Sequence, residues 1–288
     1  MLDVNYVKAY AKINFGLNVY PKRGDGFHNI ESIFQTINLY DELKVVTKKE
    51  KGCVVNCDLY KLPENNTLVL AYQAFCETVG VNVPGVEITL IKGIPSGGGL
   101  GGGSSDAAAL VRVLENICGI NLAEYQLNYI AEKTGSDVFF FLNCEEGRGC
   151  ALVSGRGEII KKIIPRKDLV LLLVFPKANS STKEAYSLLD ESFEKKNIVE
   201  NIAFDDFEFI YNSNVKSWNF TNAFTPVLSK KITEIGSAIE SLKQTSAEYV
   251  EISGSGSTVY GVFTMQQQAV FCSKMLADAL NCRVVKVI

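Results

Sequence analysis

The chain is short of the residues that most metal and redox sites use. Its 288 residues include one histidine, one tryptophan and three methionines, and its eight cysteines never form a Cys-x-x-Cys pair. A zinc site of the usual Cys/His type therefore has almost no ligands to draw on. Basic excess is missing too: 29 Lys and Arg stand against 32 Asp and Glu, a net charge of −3, which is not the footprint of a nucleic-acid binder. The longest unbroken apolar run, Leu169–Phe175, falls far short of the ~20 residues that cross a bilayer. Asp3, Lys8 and Lys12 interrupt the start of the chain, so no secretory signal is expected there. No repeat with a period of ~20–50 residues is present. These absences predict a soluble, cytoplasmic protein with reduced thiols and neither a membrane nor a nucleic acid as partner.

What is present suits an ordinary globular chain. Apolar residues make up 47% and charged residues 21%, enough to bury a full core in one large domain or two modest ones. The first half reads as mixed strand and helix. Residues 6–19 and 30–46 are extended, with a polar turn at Pro21–Gly26 between them. Helical spacing runs from Asn65 to Val79, and Val86–Lys92 alternates as a strand. After a glycine run, Ser105 or Asp106 is placed to cap a helix through Ile117, with Gly119 at its end. A second helix is predicted over Leu122–Thr134, capped by Asn121 with Glu124 three residues on and stopped by Gly135. Glycines and charges thicken around Gly147–Gly157, which puts a boundary near residue 160. Beyond it, Leu169–Phe175 reads as a buried strand, residues 249–263 as two strand-like pieces around Gly254-Ser255-Gly256, Gln266–Leu280 as a helix and Arg283–Ile288 as a closing strand. Glu191–Asn222, rich in asparagine and aromatics and holding Trp218, has no evident pattern. Cys76, Cys118 and Cys272 fall inside apolar helical patterns, where cysteine acts as a small hydrophobe.

The glycine run carries the strongest chemical signal. Gly97 to Gly103 holds six glycines around Leu100, between a strand and a helix start. With side chains removed, backbone N–H groups can close on an anion, and the helix adds its unpaired N–H groups and the positive end of its dipole. A phosphate chain is the natural guest, and a flexible linker the bland alternative. Walker A chemistry needs a lysine where Ser104 stands. Gly97, Gly99 and Gly102 match the Rossmann pattern literally, but that motif needs a parallel strand after the helix, and here a second helix bearing Glu124 follows.

Three single residues are open to two readings each. Asp137, ahead of the apolar run Val138–Leu142, is either a helix cap or a carboxylate facing a cleft. Lys12, between Ala11 and Ile13 in an extended segment, is a solvated lysine on the polar face of an edge strand or a cation with a working role. A lone histidine such as His28 is more often structural than catalytic, and no nucleophilic triad surrounds it.

The segment Pro95-Ser96-Gly97-Gly98-Gly99-Leu100-Gly101-Gly102-Gly103-Ser104-Ser105-Asp106-Ala107-Ala108 resembles the phosphate loop of the GHMP kinase superfamily, small-molecule kinases with their own left-handed βαβ nucleotide-binding fold. Ala11-Lys12-Ile13-Asn14 with Gly24-Asp25-Gly26-Phe27-His28, Thr134-Gly135-Ser136-Asp137-Val138 and Ser253-Gly254-Ser255-Gly256-Ser257 follow in the family's order and spacing. The resemblance covers essentially the whole chain apart from the middle of the second half. It implies a two-domain α/β (α+β) protein of the GHMP kinase fold. Residues 1–160 would form the N-terminal ATP-binding domain, ribosomal protein S5 domain 2-like, and residues 161–288 a ferredoxin-like α+β domain on the substrate side. The doubled glycine triplet is similar to that of members which phosphorylate the 2-hydroxyl of a cytidine diphosphate-linked methylerythritol in the non-mevalonate isoprenoid pathway.

That resemblance also distributes roles. Asp137 would accept the hydroxyl proton, with Lys12 beside it. ATP would be held by Pro95, Gly97, Gly98, Gly99, Leu100, Gly101, Gly102, Gly103, Ser104 and Ser105, with Asn66 near the adenine. Asn14 and His28 would contact the cytosine, Phe27 would lie against it where the family often has tyrosine, and Tyr186 with Thr182 would cover the opposite face. Gly254 and Gly256 would close near the substrate. Asp106 stands where relatives often have asparagine, and would either approach Mg²⁺ or cap its helix. ATP as donor and Mg²⁺ are the expected cofactors, with no protein ligands of the metal identified, and the molecule is expected as a monomer or homodimer. Homoserine, mevalonate or a sugar as acceptor, a non-catalytic nucleotide sensor and a dehydrogenase are the competing readings. The His28, Phe27 and Tyr186 set favours an acceptor that carries a base.

Overall fold

Two long strands open the chain. β1 (Val4–Lys22) and β2 (His28–Lys48) pair with each other, and the turn between them closes with Arg23 N–H donating to Phe27 O at 2.7 Å. The computed structural model describes residues 3–80, 83–178, 181–195 and 200–288. Contacts divide the chain into two compact units that interleave in sequence. One takes Met1–Ala11, Leu39–Ser96 and Gly101–Gly149, the other Lys12–Asn38, Gly97–Leu100 and Cys150–Ile288. Both long strands pass from one unit to the other.

In the first unit, β3 (Cys53–Cys57), α1 (Thr67–Val79) and β4 (Gly85–Ile91) form a crossover whose two strands pair in parallel. β4 pairs antiparallel with residues 42–48 of β2. Alternation on β2 sends Leu39, Asp41, Leu43, Val45 and Thr47 to the buried side, a half-covered strand in pattern except for the carboxylate. Three helices then follow without a strand between them: α2 (Gly102–Cys118), α3 (Glu124–Thr134) and α4 (Ser136–Asn143). α2 starts inside the glycine run, not at a Ser105 or Asp106 cap, because Gly101 at φ 70° supplies the turn into it. Asp106 consequently lies past the first turn of α2, facing the core. α3 starts at Glu124 and not at Leu122, with Gln126 Oε1 accepting the Ala123 N–H at 2.9 Å, so Asn121 and Glu124 do not form the expected cap. Asp137 sits in the first turn of α4 behind Gly135 and is not its cap.

The second unit carries β5 (Cys150–Gly155), antiparallel to residues 30–35 of β2 and in a hairpin with β6 (Ile159–Lys162). The boundary expected near residue 160 falls within that hairpin. β7 (Val170–Phe175) is the buried strand expected from its apolar run. After it come α5 (Thr182–Glu194), α6 (Phe207–Asn212), α7 (Thr225–Lys231) and α8 (Thr233–Lys243). β8 (Tyr249–Ile252), β9 (Val259–Phe263), α9 (Gln266–Leu276) and β10 (Asn281–Lys286) complete it. The antiparallel order β10-β7-β9-β8, with α8 and α9 packed on its strands, is the ferredoxin-like arrangement. α9 ends four residues before the expected Leu280, and β10 begins at Asn281.

The stretch Glu191–Asn222, patternless in sequence, sends Phe207, Ile210, Tyr211, Val215, Trp218, Phe220 and Asn222 into the core, while its other described residues are exposed or half-buried; residues 196–199 of it lie outside the described residues. Phe207, Tyr211, Trp218 and Phe220 pack ring on ring, at centroid separations of 5.3 to 6.1 Å, and Trp218 meets Phe15 of β1 at 5.2 Å. Phe220 lies so close to Gly16 that an added Cβ there would approach it to 2.7 Å. This side of β1 has room for rings because its own residue has none. No helix among the described residues is long and apolar enough to cross a membrane.

Candidate active site

The phosphate-loop candidate is built by main chain. Gly97, Gly99 and Gly101 take φ of 70°, 72° and 70°, left-handed values at alternate positions that only glycine holds without strain. Such alternation lines up successive N–H groups into an anion-binding concavity. Four consecutive carbonyls of the loop are engaged by the protein. Ser257 N–H donates to Gly97 O and Thr258 N–H to Gly98 O, both at 3.2 Å, Ser253 Oγ donates to Gly99 O at 2.9 Å, and Lys12 N–H donates to Leu100 O at 2.9 Å. Leu100, the single side chain in the run, is buried as an anchor, while Pro95 is exposed.

Within the first unit the start of α2 has close neighbours. A Cβ at Gly103 would lie 3.1 Å from Thr67 Oγ1, and one at Gly135 would lie 3.9 Å from Ser104 Oγ. The loop's helix therefore touches both the start of α1 and the turn that delivers the half-buried Asp137. Asn66 caps α1: its Oδ1 accepts Leu68 N–H and Val69 N–H at 3.1 and 3.2 Å, and its amide donates to Pro63 O at 2.9 Å. Asn66 thus has a structural task whatever else it contacts.

Sequence reading missed the residues that hold Asp106. Lys92 Nζ donates to Asp106 Oδ2 at 3.2 Å and also to Asp41 Oδ2, while Asp41 Oδ1 accepts Gly93 N–H and Ile94 N–H at 2.7 and 2.8 Å. All three side chains are buried, and Asp106 Oδ1 has no protein partner. One ammonium cannot neutralise two carboxylates away from water, so burial, aided by Asp41, pushes the Asp106 carboxyl well above its ordinary range despite Lys92. Asp106 is therefore not a helix cap; its Oδ2 is taken by Lys92 and its Oδ1 has no protein partner. Among the described residues no three His, Cys, Asp or Glu side chains gather as a metal site. The available signal was Asp41 itself, a carboxylate on the apolar face of β2.

In the second unit the remaining residues come together. Lys12 is 3% exposed, which excludes the solvated-lysine reading. Its Nζ donates to Asn14 Oδ1 at 2.6 Å and lies 4.4 Å from the Phe34 ring centroid. Asn14 Nδ2 donates to Ser32 Oγ at 3.2 Å, and Ser32 donates to Gly16 O. A Cβ at Gly254 would sit 3.2 Å from Gly99 O and 3.3 Å from Asn14 Oδ1, so the Ser253–Ser257 turn wedges between the first half of the phosphate loop and the Lys12–Asn14 pair. Gly254 and Gly256 take φ of 55° and 77°.

His28 is buried with its Nδ1 donating to Tyr20 O at 2.7 Å and its Nε2 3.5 Å from Asp190. Its ring lies 4.8 Å from that of Tyr186, which packs edge-on against Phe224. Thr182, at the start of the same helix, reaches Ser255 Oγ at 3.2 Å. Phe27 is 47% exposed, with the Arg156 guanidinium 4.6 Å from its ring centroid. Arg156, between Gly155 and Gly157 in the β5–β6 turn, was not singled out from sequence; a glycine-flanked cation in a hairpin is too common a pattern to read alone.

Comparison with known proteins agrees with this geometry. The model of the GHMP kinases N terminal domain matches residues 66–145 and that of the GHMP kinases C terminal matches residues 206–281. The chain is 36% identical over 273 residues to a 4-diphosphocytidyl-2-C-methyl-D-erythritol kinase of Clostridium beijerinckii, covering 92% of this chain and 93% of the relative. It is 39% identical over 266 residues to the kinase of that name from Caldanaerobacter subterraneus, covering 89% and 87%. Among solved structures, a 4-(cytidine 5'-diphospho)-2C-methyl-D-erythritol kinase superposes with a TM-score of 0.78 at 25% identity, covering 98% of this chain and 99% of the other. A homoserine kinase from Cytophaga hutchinsonii superposes at 0.73 with 20% identity, over 99% and 95%, a likeness of fold alone. The chain is a GHMP kinase and belongs to the 4-diphosphocytidyl-2-C-methyl-D-erythritol kinase family.

Proposed function

We propose that the protein transfers the γ-phosphoryl group of ATP to the 2-hydroxyl of 4-diphosphocytidyl-2-C-methyl-D-erythritol, giving the 2-phosphate and ADP in the non-mevalonate isoprenoid pathway of the cytoplasm. The observation that carries this reading is the match over nine-tenths of the chain to kinases of that name. The contacts of Lys12 and Gly254 with the glycine loop, and of both with Asn14, support it, since they bring a buried cation close to the candidate anion cradle. A division near residue 160 between nucleotide and substrate domains is supported by the two family models, which fall on either side of it.

The loop N–H groups of Gly97–Ser105 and the N-terminus of α2 would hold the phosphates, with Pro95 at the loop's entry and Asn66 on the adenine side. Mg²⁺ would arrive as part of the Mg–ATP substrate and would draw off charge developing in the transfer. Asp137 would accept the proton of the attacking hydroxyl as its oxygen bonds to the γ-phosphorus and the bond to the β-phosphate bridging oxygen breaks. Lys12, held by Asn14, would keep that region electropositive and hold the acceptor hydroxyl. Transfer would be direct, without a phosphoenzyme. Phe27 and Tyr186 would flank the cytosine, His28 would present a ring nitrogen to its edge, and Thr182, Gly254 and Gly256 would close over the acceptor.

The test is ADP release with Mg–ATP, with and without the cytidine diphosphate acceptor, for the wild type and Asp137→Asn. Acceptor-dependent release that falls by about 10²–10⁴ in the variant fits a lost general base. Release with homoserine or mevalonate in its place would move the acceptor assignment, and unchanged turnover in Asp137→Asn would remove the base.

A further inference from the structure

The asparagine at the end of the patternless stretch uses every polar atom of its side chain. Asn222 is 2% exposed. Its Nδ2 donates to Ile252 O at 2.9 Å and to Gly254 O at 2.8 Å, and its Oδ1 accepts Phe224 N–H at 2.9 Å. Its main chain bridges to Leu17 of β1, the bridge framed by Leu17 N–H donating to Thr221 O at 2.8 Å and Ala223 N–H donating to Leu17 O at 2.9 Å. One residue is therefore tied to the strand that carries Lys12 and Asn14 and to the turn that holds the carbonyls of Gly97, Gly98 and Gly99.

The chemistry of the position is demanding. Two buried carbonyls need donors and one buried N–H needs an acceptor, all from a single short side chain. Only a primary amide offers two hydrogens and an acceptor on one planar fork. An ionised aspartate of the same shape would turn an oxygen toward two carbonyl oxygens. A serine hydroxyl supplies one donor. Gly254 O, which the amide grips, belongs to the glycine that packs against both Gly99 O and Asn14 Oδ1, so a displacement of the turn would be felt at both.

We infer that Asn222 is a positioning residue of the kinase reaction, fixing the Ser253–Ser257 turn against the first half of the phosphate loop and against the Lys12–Asn14 pair. The inference rests on the reading above, in which these segments hold the reacting groups. Asn222 is buried, and all three of its side-chain hydrogen bonds go to main chain. Its loss should appear chiefly in turnover, because two of its three side-chain hydrogen bonds hold the turn, and the third reaches the base pocket only through Phe224, whose ring packs on Tyr186.

The experiment is steady-state ADP release by the full-length protein with ATP and the acceptor varied separately, for wild type, Asn222→Asp and Asn222→Ser, with thermal midpoints measured alongside. The expected result is a kcat loss of about 30-fold or more in Asn222→Asp and about 10-fold in Asn222→Ser, with the KM for the cytidine diphosphate acceptor within about 3-fold of wild type. A fall in thermal midpoint with kcat and both KM values within 3-fold of wild type would reduce Asn222 to a structural residue and overturn the inference. Should Asn222→Asp not fold, Asn222→Ser, which keeps one donor and leaves little void, decides on the same criterion. A wild type that releases no acceptor-dependent ADP would instead strike down the kinase reading, and the inference with it.

Discussion

The candidate phosphate loop and the candidate acceptor pocket are made of different material. Gly97–Ser105 presents main chain, and its one large side chain is an anchor. The acceptor side presents side chains, Lys12, Asn14, His28 and Tyr186, brought from β1, β2 and α5. A main-chain site needs particular backbone angles and absent side chains, and glycine writes both into consecutive positions. A side-chain site needs groups from distant positions, so its design resides in the packing that holds them. The loop should accordingly fail when something is added, and the pocket when something is removed.

The sharpest break of that contrast is Gly99→Ala. A methyl there would overlap the carbonyl of Ser253, and the left-handed backbone adds a strain of about 1–3 kcal/mol. ATP-dependent turnover should fall at least ~10-fold, read as kcat/KM for ATP; an unaffected value would mean that the carbonyl lock is not needed. Next in size, Phe27→Ala and Tyr186→Ala should each raise the KM for the acceptor by the equivalent of about 1–3 kcal/mol of base stacking while leaving the KM for ATP unchanged. A parallel rise for ATP would erase the division between loop and pocket.

A comparable effect is expected from a buried acid under the glycine turn. Glu251 accepts Ile252 N–H at 2.8 Å and the Thr225 hydroxyl, and burial pushes its carboxyl up from 4.5 to about 7. The folded protein therefore holds a proton that the unfolded chain releases near pH 4.5. This contribution to stability is complete below that pH and is lost as pH rises to about 7, a change of about 3 kcal/mol. Glu251→Gln keeps an acceptor and cannot ionise. Its thermal midpoint should match wild type near pH 5 and exceed it at pH 8; a difference independent of pH would show that Glu251 does not titrate in this range. The smallest effect belongs to the nucleotide side. Asn66→Ala removes a helix cap and should cost about 1 kcal/mol of stability, with a change of less than ~3-fold in the KM for ATP. A larger rise would make Asn66 a direct nucleotide contact.

Much of the element order was legible because it rests on local pattern. Both long strands, α1, β7 and the β8–β9 pair follow from alternation, helical spacing or an apolar run. The start of α2 was not, since a helix that begins on glycines lacks the polar cap that marks most helix starts. Asp106 illustrates the same limit. In sequence it is a cap candidate, and only Lys92 and Asp41, brought to it by β4 and β2, make it a buried acid. The aromatics of Phe207–Phe220 gave no periodic signal because they pack around Gly16 instead of along one helix face.

The sequence by itself showed a glycine run between a strand and a helix start, and its resemblance to the GHMP kinases marked Lys12 and Asp137 as the charged candidates. The glycine run is read from neighbours a few positions apart, where chain geometry is nearly fixed, and the two charged residues from short motifs that resemble the family's. Tertiary structure alone decided that Lys12 is buried on Asn14, that His28 faces Tyr186, and that Asn222 clamps the turn against the loop. The last two bring together segments tens to hundreds of residues apart, and the burial of Lys12, although Asn14 is only two positions away on β1, comes from what packs over that strand; burial of the whole core sets all three, and no local preference does.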